Sequence, residues 1–166
     1  MTSPFRIELL TSEHNRAAFS CGVEALDRYL REQASQDMRR LVASCYVAVD
    51  SGTSALAGYY TLNAAGIPLT DIPEQLVKKL PRYSDVPIAL LGRLAVDTTY
   101  QGKGIGAGLL GNAIQRALRS EIAIAALVVT AKDEQAEAFY HHHDFLNFGS
   151  QPRRLILLLS GYRSST

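Results

Sequence analysis

Cysteine is scarce in this 166-residue chain. Cys21 and Cys45 stand apart, with no CxxC spacing and no spaced histidine partner, which argues against a disulfide framework and against a cysteine metal site. Both are read as small buried residues of a protein kept in a reducing compartment. Excess charge is missing as well: 17 Lys+Arg against 16 Asp+Glu leave a formal net charge of +1. Total charge therefore neither demands nor excludes a nucleic-acid partner, since local patches set such binding. No apolar run approaches the ~18 residues of a membrane span, and Met1 to Arg6 lacks the apolar stretch of a signal peptide. A soluble, cytoplasmic protein with no membrane partner is expected. Repeats, low-complexity segments and linkers are also lacking, so a single domain over residues 1–166 is expected. Burial at this length removes roughly 70% of the unfolded surface, enough for a core without disulfides or a structural metal.

What is present is periodicity. Arg6 to Leu9 alternates, and Leu26, Tyr29, Leu30 and Ala34 fall at helical spacing within a segment from about Val23 to Arg40. Ser44–Val49 and Leu56–Leu62 flank the turn-forming Asp50-Ser51-Gly52 and predict an antiparallel hairpin. From Gly66 to Pro87 the chain reads as irregular, except that Asp71-Ile72-Pro73-Glu74 offers a cap for a short helix through Lys79, ended by Pro81. Ile88–Val96 and Ile122–Ala131 read as buried strands. Between them Ile105, Leu109, Leu110, Ala113, Ile114, Ala117 and Leu118 form one apolar helical stripe. A helix from about Asp133 to His142 and a strand over Leu155–Leu159 complete an α+β domain, with helices on both sides of a mixed sheet.

Between strand and helix lies Gln101-Gly102-Lys103-Gly104-Ile105-Gly106. Glycines there let the backbone turn tightly and aim several N–H groups at one point, where a helix N-terminus already carries partial positive charge; phosphate oxygens bind at such a point. The spacing fits neither the GxxxxGK[S/T] of a P-loop nor the GxGxxG of a dinucleotide fold, and no ribose-binding acid follows. His141, His142 and His143 form a run, but adjacent helix residues point about 100° apart and cannot converge on one ion, so no metal is expected. They decorate a helix C-terminus, where protonated histidine is favourable.

The loop resembles the Q/R-x-x-G-x-G/A motif of the GNAT superfamily of N-acetyltransferases, where it binds the pyrophosphate of coenzyme A. Leu91-Gly92-Arg93-Leu94-Ala95-Val96-Asp97 resembles the preceding strand, and Ala131-Lys132-Asp133-Glu134-Gln135-Ala136 with Phe139-Tyr140 resembles the later strand and helix. Within the superfamily the chain is similar to the acetyltransferase toxins of bacterial type II toxin-antitoxin operons, which acetylate the amino acid on charged tRNA. That likeness lies in Phe19-Ser20-Cys21-Gly22, Leu26-Asp27-Arg28-Tyr29-Leu30, Gly58-Tyr59-Tyr60-Thr61-Leu62 and Leu80-Pro81-Arg82-Tyr83, and runs from about Phe19 to Leu159. One departure is Asp144, where the superfamily usually has glycine; Asp tolerates left-handed backbone better than most residues, so a helix end is still expected.

The resemblance implies a GNAT fold with a mixed, mostly antiparallel central sheet, and acetyl-CoA as cosubstrate. It implies contacts to acetyl-CoA from Leu94, Ala95, Val96, Gln101, Gly102, Lys103, Gly104, Ile105, Gly106, Ala136 and Phe139, with Tyr140 protonating the departing sulfur. Arg39, Arg40, Lys78, Lys79, Arg82 and Arg93 are candidate cations for an acceptor stem. An aminoacyl-tRNA substrate, a ribbon-helix-helix antitoxin and a homodimer follow from the same branch. An α-amine titrating at about 7.7–8.0 needs less help from a base than a lysine at about 10.4, in keeping with the lack of an obvious catalytic Glu or His pair. Two alternatives keep the loop: an acetyltransferase for protein N-termini or small amines, needing no cationic acceptor surface, and a non-catalytic coenzyme-binding module, which leaves Tyr140 without a reason.

Overall fold

The alternating stretch at the start forms strand β1 (Phe5–Leu9), and the helical spacing after it becomes α1 (Glu24–Arg28), a π-turn at Tyr29–Gln33 and α2 (Ala34–Arg39). The computed structural model describes residues 4–80 and 82–164. Its described residues fall into two compact units, residues up to 63 with 92–113, and 64–91 with the rest.

In the first unit, β2 (Ser44–Asp50) pairs antiparallel with β1 and with β3 (Leu56–Pro68), as the hairpin signal predicts. Neighbouring tyrosines on β3 show that helices lie on both faces: the Tyr59 hydroxyl donates to the Leu26 carbonyl of α1 at 2.6 Å, and that of Tyr60 donates to Asn112 at 2.6 Å. Asn112 belongs to α4 (Ile105–Leu118). Leu30, Ala34, Val47, Val49, Tyr59 and Cys45 share the core on the α1 face. Burial pushes the Cys45 thiol up to about 12, so it behaves as the small apolar residue the sequence predicts. Gly58 is required by close approach, since a Cβ there would stand 2.8 Å from the Ala95 carbonyl oxygen and 2.8 Å from Leu109.

The second unit takes in β4 (Asp85–Val96) only as far as Leu91; there it lies parallel to β5 (Ala126–Thr130) from Ile88↔Ala126 to Leu91↔Val129, and β5 lies antiparallel to β7 (Arg154–Leu158). β5 is buried at Ala126, Leu127, Val128 and Val129 alike, the pattern of a strand covered on both faces. The strand order is β1-β2-β3-β4-β5-β7-β6, and every described pairing except β4–β5 is antiparallel. The α+β class and the mixed, mostly antiparallel sheet flanked by helices are as expected.

Several boundaries differ from the sequence reading. β3 continues to Pro68 and β4 begins at Asp85, because Ile67, Val86 and Ile88 bury in one core cluster despite the Gly66 and Pro68 breakers. Asp71 is no helix cap: Ile72, preceding proline, is held extended at φ −83, ψ 139, so α3 (Glu74–Val77) starts only after Pro73 and stops short of Lys79. Pro81 lies outside the described residues. β5 starts at Ala126, whereas Ile122 is 74% exposed. The ladder reaches Pro87, whose carbonyl accepts from Ala125 and which has no N–H to continue it. Two elements carry no signal in the sequence: β6 (Leu146–Asn147), which exists through pairing with β7, and α6 (Leu159–Ser164). No described helix is long and apolar enough to cross a membrane.

Candidate active site

The loop is held from behind. Beyond Val96 the Asp97 N–H donates to the Ala57 carbonyl, and the Asp97 side chain caps a 3-10 turn at Thr98–Tyr100. Its carboxylate accepts from the Ser20 N–H at 3.0 Å, from the Thr99 N–H at 2.9 Å and from the Thr99 hydroxyl. Burial works against the charged carboxyl, but these donors outweigh it and hold Asp97 below the usual carboxylate range. The Thr98 N–H donates to Ser20 O at 2.8 Å, closing the clamp. The Gln101 side chain points its amide at the carbonyls of Val96 (3.2 Å) and Cys21 (3.5 Å), so it braces the loop by its side chain and leaves any anion to the backbone.

Gly102 and Gly104 both adopt φ +80, and a Cβ at either would meet nothing within 4 Å. Backbone conformation, not crowding, requires glycine at both. The Gly108 N–H bonds back to Gly104 O at 3.0 Å, which leaves the amides of Ile105, Gly106 and Ala107 as first-turn donors without intrahelical acceptors. Unpaired first-turn donors and the partial positive charge at the head of a 14-residue helix are features that favour an anion. Ile105 is buried and anchors the turn, while Lys103 is exposed with its ammonium 5.4 Å from the Tyr100 ring centroid. Ala95 is buried, Leu94 and Val96 are half-buried, and all three lie beyond the end of the described β4–β5 pairing at Leu91↔Val129.

Tyr140 sits in the second unit on α5 (Glu134–His142). Asp133 starts this helix by accepting from the Ala136 N–H at 2.8 Å. It ends in a Schellman motif: the Phe145 N–H reaches back to Tyr140 O, the Asp144 N–H to His141 O, and Asp144 takes φ +73. The Phe145 ring packs 5.3 Å from that of Tyr140, and Phe139 packs at 5.2 Å, so Tyr140 is 5% exposed. Ala136 and Phe139 are half-buried on the same helix.

The Tyr140 hydroxyl differs from those of the other buried tyrosines. Tyr29, Tyr59 and Tyr60 each donate to a protein acceptor, whereas no hydrogen bond joins the Tyr140 hydroxyl to any described residue. No buried side-chain polar atom among the described residues lacks a partner, so this hydroxyl is not sealed in the core but reaches the accessible surface. Burial alone pushes its pKa well above the ordinary tyrosine range, which keeps the phenol protonated at neutral pH.

The candidate cations separate by unit. Arg39 and Arg40 are exposed at the end of α2, and Arg93 lies half-buried with its guanidinium 3.5 Å from the centroid of the Tyr29 ring. Arg40 and Arg93 both act on Asp37, whose carboxyl is held below the usual range first by hydrogen bonds from Gln33 and Tyr29. Lys78, Lys79 and Arg82 are exposed in the second unit. The histidines engage separately: His141 bonds Asn147 at 2.6 Å and His143 packs on Phe139. Among the described residues no group of three or more His, Cys, Asp or Glu is placed to hold a metal ion.

Sequence reasoning passed over Asp97, Asp37 and the Tyr29–Arg93 stack. Asp97 had a local signal, the capping pattern Asp97-Thr98-Thr99, but the other two depend on long-range packing.

Residues 7–145 match the acetyltransferase (GNAT) family. The chain is 35% identical over 149 residues to a tRNA-acetylating toxin of Mycobacterium tuberculosis, covering 89% of this chain and 87% of that protein. It is similar to AtaT in complex with acetyl-methionyl-tRNAfMet, with a TM-score of 0.87 and 28% identity over 97% of this chain and 98% of that one. A Tyr-to-Phe variant of AtaT, bound to the C-terminus of its antitoxin AtaR and to acetyl-CoA, matches at a TM-score of 0.79 and 25% identity, covering 98% of each chain. With its glycine-rich loop at the head of α4, its match to the family over residues 7–145 and its relatedness to the tRNA-acetylating toxins, the chain belongs to the acetyltransferase (GNAT) family.

Proposed function

We propose that the protein transfers the acetyl group of acetyl-CoA to the α-amino group of aminoacyl-tRNA and so blocks translation. The observation that carries the catalytic part is the Tyr140 phenol, buried yet with no described protein acceptor for its hydroxyl and held neutral by burial. The likeness to a toxin that acetylates tRNA and to AtaT bound with acetyl-methionyl-tRNAfMet supports the acceptor. In the reaction the loop amides of Gly102 to Gly106 bind the pyrophosphate, and the backbone of Leu94, Ala95 and Val96 takes the pantetheine arm and the thioester oxygen. Ala136 and Phe139 line the arm. The neutral α-amine attacks the thioester carbon, the C–S bond breaks, and Tyr140 gives its proton to the departing thiolate. The amine's surplus proton passes to solvent, from which Tyr140 is reprotonated. N-acetyl-aminoacyl-tRNA and free coenzyme A leave.

Arg39, Arg40, Lys78, Lys79, Arg82 and Arg93 supply positive charge for the acceptor stem. A ribbon-helix-helix antitoxin neutralises the enzyme, which works as a homodimer in the cytoplasm within one domain of residues 1–166; the antitoxin-bound AtaT supports the first of these. The test offers purified protein labelled acetyl-CoA together with charged tRNAs, peptides and polyamines. Label on the amino acid of tRNA is expected. Label confined to peptides or polyamines would overturn the acceptor, and no transfer to any amine would overturn the enzyme. Tyr140→Phe is expected to lower turnover roughly 10²- to 10⁴-fold with acetyl-CoA binding retained. A near-normal rate would remove Tyr140 from the mechanism.

A further inference from the structure

The helical segment between Glu24 and Arg39 is interrupted by the π-turn at Tyr29–Gln33. Such turns are rare and concentrate at functional sites. Here it carries Tyr29, whose hydroxyl donates to Asp37 Oδ2 at 2.8 Å, while Asp37 Oδ1 accepts from Gln33 Nε2 at 2.9 Å. The ring of Tyr29 lies near-parallel to that of Tyr59, 6.3 Å between centroids and 15° between planes, so it is held by its hydroxyl and supported by a second ring. Arg93 lies over this fixed ring, 3.5 Å from its centroid.

Arg93 is half-buried, yet no described residue accepts a hydrogen bond from it and no described carboxylate stands within 4.0 Å of it. Asp37, the nearby acid, has both oxygens committed to Tyr29 and Gln33. Partly desolvating a guanidinium without an acceptor is unfavourable. Stacking covers one flat face and leaves the in-plane fork of N–H donors for a planar pair of oxygens. Arg39, Arg40, Lys78, Lys79 and Arg82 are exposed and have no such seat.

Arg93 also directly precedes Leu94-Ala95-Val96, the stretch assigned above to the thioester. The attacking amine is neutral and the α-carboxylate of the amino acid is consumed in the ester, which leaves phosphate as the anion that every charged tRNA brings to that end of the acceptor. Resting on the charged-tRNA reading, we infer that Arg93 clamps the phosphodiester nearest the aminoacyl end, and that Tyr29 is the positioning residue whose ring holds it flat.

The test measures transfer to bulk charged tRNA and binding of that tRNA across a salt series, for wild type, Arg93→Gln, Arg93→Lys, Tyr29→Leu and Tyr29→Phe, with a melting temperature for each. Arg93→Gln is expected to raise KM for charged tRNA about tenfold or more and to make the salt slope shallower by about 1. Arg93→Lys, which keeps charge without the fork, is expected to restore the slope but not KM. Tyr29→Leu is expected to raise KM, and Tyr29→Phe, which keeps the shelf, to stay within about threefold of wild type. An unchanged KM and slope in Arg93→Gln overturns the inference while transfer by the wild type leaves the acceptor reading standing. Wild-type protein that acetylates no charged tRNA removes both. Should Tyr29→Leu fail to fold, Arg93→Gln at its half-exposed site still decides the clamp, and Tyr29→Phe at wild-type KM still separates ring from hydroxyl.

Discussion

Replacing Asp144 by glycine is expected to stabilise the protein, although it deletes a side chain. Asp144 occupies the residue after the α5 cap at φ +73, where an L side chain crowds its own backbone. A non-glycine residue in this region costs about 1–2 kcal/mol, less for Asp, and glycine returns part of the gain through the greater freedom of its unfolded chain. The Asp144 side chain makes no hydrogen bond to a described residue, and it places an anion at the negative end of a helix. The net expectation for Asp144→Gly is about 0.5–1 kcal/mol of added stability, or a rise in Tm of roughly 1–4 °C at this chain length. Asp144→Val, β-branched, should instead lose about 1–2 kcal/mol. It should also lower turnover, because the Tyr140 carbonyl receives both the His143 and the Phe145 N–H and the Tyr140 ring rests on Phe145. Calorimetric melting of the three proteins checks this. A glycine variant that melts below wild type, or a valine variant that melts with it, would refute the left-handed cap as the source of strain.

Gly58→Ala is expected to destabilise by about 1–3 kcal/mol and to weaken acetyl-CoA binding, because the new methyl would meet the Ala95 carbonyl and Leu109 at 2.8 Å; denaturant melts with coenzyme titration check both. Asp97→Ala strands the Ser20 and Thr99 N–H groups and should cost about 2–3 kcal/mol while raising KM for acetyl-CoA. Because the folded-state pKa of Asp97 is depressed, its contribution is present above the unfolded value of about 3.9 and is lost as pH falls below it. Stability of wild type should therefore drop more steeply below about pH 4 than that of Asp97→Asn, measured by acid titration of the far-UV circular dichroism signal.

The sequence by itself determined what local chemistry controls. The stripe from Ile105 to Ala117 allows one helix only, Gly102 and Gly104 allow the left-handed turn before it, and the Asp133 cap opens α5, because each of these rests on torsional preference or periodicity within a few residues. Tertiary structure decided what depends on partners far apart in the chain. Gly66 and Pro68 read as breakers, yet burial of Ile67 with Val86 and Ile88 draws that stretch into β3, since packing outweighs a weak strand propensity. Ile122 reads as core and stands in solvent, because the β4–β5 ladder reaches no further than Pro87. The same division runs through the site. Tyr140 is legible as a residue at helical spacing, but that its hydroxyl is the one left over among the buried tyrosines follows from who reaches whom in the folded chain. Arg93 reads as one cation among several until folding lays it on Tyr29, a residue brought beside it from a distant helix, and a pattern of such separation has no periodicity to betray it.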